Sequence, residues 1–150
     1  MTDPVPAVHA HGLDEIQALV GTELGPTPWC PFGTEELSRF TALGDEVRSG
    51  LSPAPTPDGV VGAAFALACG PQLGTSLVEF DGFAHGLNYG YNRVQVSGEL
   101  PLGSRFRMRQ IVVSAERTGA GVHVVARQAY EAEGADEPFC IALAVSRLFD

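Results

Sequence analysis

The sequence predicts an α+β fold in which an antiparallel β-sheet wraps one central apolar helix, and three observations carry that prediction. Between Asp58 and Pro71 the chain carries no charge after Asp58 and is apolar on every helical face. Beyond Pro71 the apolar residues switch to a period of two, which is the period of strands. The strand-like runs are separated by glycine-rich turns, Gly119-Ala120-Gly121 and the stretch from Gly134 to Pro138, which read as hairpin connections. A helix without a polar face has to be covered, because leaving it in water would expose too much apolar surface. Asp58 reads as its cap, Gly70 as its closing residue and Pro71 as its stop. About three turns fit between those marks, far too few to span a membrane.

Composition bounds the partners. A chain of 150 residues is enough for one core, burying about 70% of the surface its unfolded form exposes. The net charge of −9 argues against nucleic acid and anionic membrane surfaces. Cys30, Cys69 and Cys140 are far apart and lack metal-ligand spacing, so they read as structural thiols, and the fold is expected to need no metal, disulfide or cofactor. No basic segment followed by an apolar run opens the chain, which predicts a cytoplasmic protein.

In chain order, residues 1–12 read as a flexible N-terminal lead-in holding His9 and His11, and residues 13–150 as one domain. Leu13, Ile16, Leu19 and Val20 fall at helical spacing, closed by Gly21. Gly25-Pro26-Thr27-Pro28-Trp29 reads as an extended or turning segment. Thr34-Glu35-Glu36 opens a second helix with a hydroxyl cap and acids in the first turn; Leu37, Phe40 and Thr41 share its face, and it should end near Gly44. From Arg48 to Pro57 prolines, serines and a glycine predict an irregular surface segment. Leu77 to Phe80 is a candidate strand. A longer one, Leu87 to Val96, places Leu87, Tyr89, Tyr91 and Arg93 on one face and Asn88, Gly90, Asn92 and Val94 on the other. Arg105, Arg107 and Arg109 alternate with Phe106, Met108 and Gln110 in a half-exposed strand that ends near Ser114. The hairpins then deliver Val122 to Tyr130 and Phe139 to Phe149, giving four or five antiparallel strands around the helix.

The run Leu87-Asn88-Tyr89-Gly90-Tyr91-Asn92-Arg93-Val94, followed by Glu99-Leu100-Pro101-Leu102-Gly103-Ser104-Arg105-Phe106-Arg107, resembles the MaoC-like dehydratases, also called (R)-specific enoyl hydratases. Their fold is the hotdog, a long antiparallel sheet curled around a central helix. The resemblance implies hydration of a trans-2-enoyl thioester, or the reverse dehydration, without metal or redox cofactor. In that family an aspartate and a histidine five positions later activate the water, and a glycine amide at the start of the central helix steadies the thioester oxygen. Such chemistry needs a base for the water and fixed donors for the developing enolate.

Asp45, after Gly44, falls on the family's aspartate, whereas Gly50 stands where the histidine is expected. Gly59 and Gly62 are the nearest matches to the glycine of the central helix. His85 is the one histidine close to the signature strand and is a candidate replacement base. Asn88, Tyr89, Tyr91 and Arg93 are candidate substrate contacts, although aromatic residues on an inward strand face are more often core. The arginine ladder could meet phosphates of a coenzyme A or carrier arm, or form an ordinary solvated face. The expected function is therefore a divergent dehydratase acting on an unsaturated acyl or polyketide-like substrate, small or carrier-bound, or a pocket turned to cyclisation or isomerisation. The alternatives are a non-catalytic subunit beside an intact MaoC-like chain, and a ligand-binding module. An open sheet edge favours a homodimer, with a heteromer as the other assembly.

Overall fold

The computed structural model describes residues 7–45 and 58–150. Its elements, in order, are β1 (Val8–His11), α1 (Gly12–Ala18), β2 (Glu23–Leu24), β3 (Cys30–Phe32), α2 (Thr34–Asp45), α3 (Asp58–Leu77), β4 (Val78–Asp81), β5 (His85–Val96), β6 (Ser104–Thr118), β7 (Gly121–Ala132) and β8 (Cys140–Phe149). The main sheet runs β2-β6-β7-β8-β5, with β3 also paired to β6. All its strand pairings are antiparallel. The expected α+β class and hotdog arrangement are therefore present, with α3 lying on one face of the curved sheet.

The core follows from the strand alternation. Phe106, Met108, Gln110 and Val112 of β6 point inward while Arg105, Arg107 and Arg109 point out. Beneath α3, Ala63 and Ala66 meet Phe106, Met108, Tyr130, Phe139 and Cys140 in one apolar cluster. A second cluster gathers Ile16 of α1 with Val112, Val122, Val124 and Leu148. The predicted face of α2 packs as expected: Phe40 meets Phe65 of α3 edge-on at 5.7 Å between ring centroids. Its cap differs, because Gly33 takes that position. The Gly33 carbonyl accepts from the Leu37 amide, and its own N–H donates to Glu36 Oε2 at 2.9 Å. That is a capping box with glycine in place of the hydroxyl residue.

Four expectations are corrected. The central helix does not stop at Pro71; it continues to Leu77 with Pro71 inside it. A proline removes the N–H owed to the carbonyl four residues back, here that of Leu67. The Tyr91 hydroxyl donates to that carbonyl at 3.0 Å, so the helix passes the proline without an orphaned acceptor. Gly70 is not a closing residue but a point of close approach, since a Cβ there would lie 3.1 Å from the Tyr91 hydroxyl.

The lead-in reading of residues 1–12 fails from Val8 onward. Strand β1 pairs in parallel with β4, His9 beside Glu79 and His11 beside Asp81, while Ala10 and Val78 are buried beneath. Four residues of alternation are too few to separate a strand from a tail by pattern alone. The strict two-face reading of β5 also fails, because register shifts leave Tyr89 and Asn92 without partners on β8. Such bulges re-aim side chains: Tyr91 turns toward α3, whereas Tyr89 remains 65% exposed. The arginine ladder, by contrast, forms an outward, ion-paired face, in line with the solvated-face alternative. Arg105 pairs with Glu133, Arg107 and Arg109 with Glu131, and Arg109 also with Glu23. Arg105 and Arg107 lie over the Trp29 ring, Arg107 at 4.5 Å.

The β1–β4 strip makes one pH prediction. His9 Nδ1 lies 2.8 Å from Asp81 Oδ2, and that hydrogen bond and charge hold the imidazole pKa above its ordinary 6.5. A raised folded-state pKa stabilises fully below the unfolded value and the gain disappears as pH rises through the folded one. The melting-temperature difference between wild type and His9→Ala is therefore expected to be larger at about pH 5.5 than at about pH 8.5. A difference that does not change with pH would show that the pair contributes nothing beyond its neutral contact.

Candidate active site

A cavity of about 500 Å³ lies between the C-terminal half of α3 and the sheet. Its helix wall is Gly70, Pro71 and Gly74; its sheet wall includes Gln110, Gln128, Ala144 and Ser146; its rim includes Glu79, Asp81, His85 and Asn88. The two helix glycines let α3 approach the sheet wall closely, since a Cβ on Gly70 would lie 3.1 Å from the Tyr91 hydroxyl. A Cβ on Gly74 would sit 3.3 Å from Gln110 Oε1.

The floor is polar. Gln110 and Gln128 stand opposite each other on β6 and β7, at 4% and 5% exposure. Tyr130 donates its hydroxyl to Gln128 Oε1 at 2.8 Å, and Gln128 Nε2 donates to Gln110 Oε1 at 2.9 Å. Burial raises the pKa of both Tyr91 and Tyr130, so each phenol stays protonated and acts as a donor. Burial likewise pushes the Cys140 thiol up to about 11 and raises those of Cys30 and Cys69, which keeps them poor nucleophiles at neutral pH.

The structure places the candidate residues in three groups. His85, Asn88 and Tyr91 share the wall of this cavity, with the His85 ring stacked on Phe149 at 4.8 Å. Tyr89 and Arg93 lie outside it: Arg147 covers the Tyr89 ring at 5.6 Å, and Arg93 donates to Gln95 Oε1 at 3.2 Å. Gly62 lies in the second turn of α3, where the amide belongs to the intrahelical ladder. A Cβ there would meet Leu100 at 2.9 Å, so its small size serves packing. Gly59 is in the first turn, where amides are free, and Asp45 is the last residue of α2. The side chain of Asp45, all of Gly50 and the segment 46–57 lie outside the described residues. Between Gly62 and Gly74 the helix rises about 18 Å, so the start of α3 and the cavity are separate places in one chain.

The pattern did single out the β5 candidates. It did not single out Gln110 and Gln128. Each is a lone glutamine in an otherwise ordinary strand, and the available signal was that both fall on inward positions of the alternation, where a polar residue needs a partner. His9, Glu79 and Asp81 could also hold a metal ion, since one ligand atom from each lies within 4.8 Å of the others. The His9–Asp81 ion pair accounts for that grouping. No helix among the described residues is long and apolar enough to cross a membrane.

No family model matches the sequence. The 3-hydroxyacyl-thioester dehydratase Z of Mycobacterium tuberculosis is 29% identical over 140 residues, covering 89% of this chain and 93% of that protein. Among solved structures, the monoamine oxidase regulatory protein of an Archaeoglobus superposes with a TM-score of 0.68 at 13% identity, over 97% of this chain and 99% of the other. The MaoC-like dehydratase of Rhodospirillum rubrum superposes with a TM-score of 0.60 at 14% identity, over 87% and 92%. The chain has the hotdog fold of these structures. At those identities the two structures speak for the fold, and the dehydratase relative is similar along nearly the whole chain.

Proposed function

We propose that this MaoC-like protein binds an acyl thioester and carries out hydration or dehydration at the acyl chain, with the cavity beneath α3 receiving the acyl part. The observation that carries the reading is that cavity: about 500 Å³, of the size small-molecule sites have, in a chain that aligns along nearly its whole length with a 3-hydroxyacyl-thioester dehydratase. Asp45 supplies the carboxylate that the family resemblance assigns to the water, and Gly59 a free first-turn amide for the thioester oxygen. His85, on the cavity rim, is the candidate base in place of the histidine absent at Gly50 only where a second copy brings its cavity to the first turn of α3, because within one chain the two lie apart. Loss of that histidine favours a divergent dehydratase, or a site turned to cyclisation or isomerisation, over fast hydration of a simple enoyl thioester.

Assembly belongs to the same reading. Among the described residues the outer edge of β5 is unpaired, and Leu87, Tyr89, Val94 and Val96 on that strand are exposed. A second copy pairing there would cover the edge and wall the cavity beside His85 and Asn88.

The test is hydration of a short trans-2-enoyl-CoA followed by loss of the enoyl absorbance, with Asp45→Ala and His85→Ala alongside wild type. Wild-type turnover that falls at least about 100-fold in Asp45→Ala is the expected result, in line with loss of a general base. A comparable loss in His85→Ala would identify it as the replacement base. Turnover unchanged in both variants would remove these residues from the chemistry. Gly50 also favours a second reading, a non-catalytic subunit that shapes the acyl site of an intact MaoC-like chain; it requires an inactive wild type that becomes part of an active complex on coexpression.

A further inference from the structure

The hydrogen bonds on the cavity floor have a fixed direction. The Tyr130 phenol, with none of its surface exposed, donates to Gln128 Oε1. With Oε1 as the acceptor end of the Gln128 amide, its nitrogen points the other way, to Gln110 Oε1. Gln110 is thereby oriented too: its oxygen is taken, and its Nε2 carries two hydrogens. Among the described residues that nitrogen has no hydrogen-bond partner, although Gln110 is 96% buried, with 4% of its surface exposed, and lines the cavity. The nitrogen itself is not sealed off, so it reaches the cavity with its hydrogens free, held there by the relay behind it. Gly74 gives the amide pair room, since a Cβ at that position would lie 3.3 Å from Gln110 Oε1.

The surroundings narrow what the donor takes. The cavity lining contains no lysine or arginine, and its rim carries Glu79 and Asp81. A carboxylate or phosphate would meet those acids without a balancing cation. A carbonyl, hydroxyl or ether oxygen meets no such repulsion. The donor also lies along the C-terminal half of α3, remote from the first-turn amides assigned to the thioester. We infer that the acyl chain taken by this cavity bears a neutral oxygen substituent remote from the thioester, received by the Gln110 amide. This rests on the acyl-thioester reading above and adds the class of chain: an oxygenated acyl group rather than a plain alkyl one.

The experiment is isothermal titration of the wild-type protein with dodecanoyl-CoA and with its 5-oxo, 8-oxo and 11-oxo analogues, repeated on Gln110→Met. At least one oxo ester is expected to bind wild type about tenfold more tightly than dodecanoyl-CoA, the scale of one well-placed hydrogen bond to a buried donor. In Gln110→Met that ratio is expected to fall to about one. Equal affinities across the wild-type series would overturn the inference and leave the acyl-thioester reading standing, and this comparison needs no folded variant. A preference that survives in Gln110→Met would overturn the assignment to Gln110. Binding of none of the four esters would remove the acyl-thioester reading and the inference with it.

Discussion

Phe106→Ala is expected to destabilise the protein by about 4 kcal/mol, within the range for truncating a fully buried phenylalanine. Phe106 has none of its surface exposed and sits on β6 beneath α3. Its ring meets Phe65 at 6.0 Å and Phe139 at 6.5 Å, both edge-on. Removing it deletes the transfer energy of the ring and both aromatic contacts. The hole left behind is bounded by a hydrogen-bonded sheet and a long helix, neither of which collapses easily. In urea the unfolding midpoint should fall with little change in slope. The loss would be a large part of the ~5–15 kcal/mol that separates folded from unfolded domains. Val113→Ala, at a position 46% exposed on the same strand, should cost less than about 1 kcal/mol. Similar costs for the two would show that the packing of α3 on the sheet is not the main source of stability.

Gly70→Ala is expected to destabilise by about 2 kcal/mol, against the usual sign for a helical glycine. Helix propensity alone favours alanine by about 1 kcal/mol. The added Cβ, however, would sit 2.5 Å from the Tyr130 hydroxyl and 3.1 Å from that of Tyr91. Neither phenol is a free surface tip: Tyr130 is held by Gln128 and Tyr91 by the Leu67 carbonyl. To admit the methyl group, α3 must lift or the relay must break, and overpacking of that kind costs about 1–3 kcal/mol besides the lost hydrogen bond. Thermal unfolding measures the outcome. A variant more stable than wild type would mean that the tyrosines give way freely and that the relay does not orient Gln110.

How much could be read in advance depended on the range of the interaction responsible. Strands β6, β7 and β8 were legible because one face of each is buried, so their alternation is written residue by residue, as in Phe106, Met108 and Gln110. The apolar run of α3 required a covering sheet, and the paired motifs around Asn88–Arg93 and Pro101–Arg105 pointed to the hotdog family. Its far end was not legible. Pro71 stops a helix when the carbonyl four residues back has no other donor, and that donor is Tyr91, twenty-four residues beyond Leu67. The same limit hid β1, whose parallel partner lies seventy residues away, and the turning of Tyr91 by bulges set against β8. It also hid the cavity floor. The sequence alone determined that Gln110 falls on the strand face opposite Arg105, Arg107 and Arg109. Only the tertiary structure decided that the two amides meet, that Tyr130 joins them, and that Gly70 and Gly74 give the group room beneath α3, because hydrogen-bond partners are neighbours in space rather than along the chain.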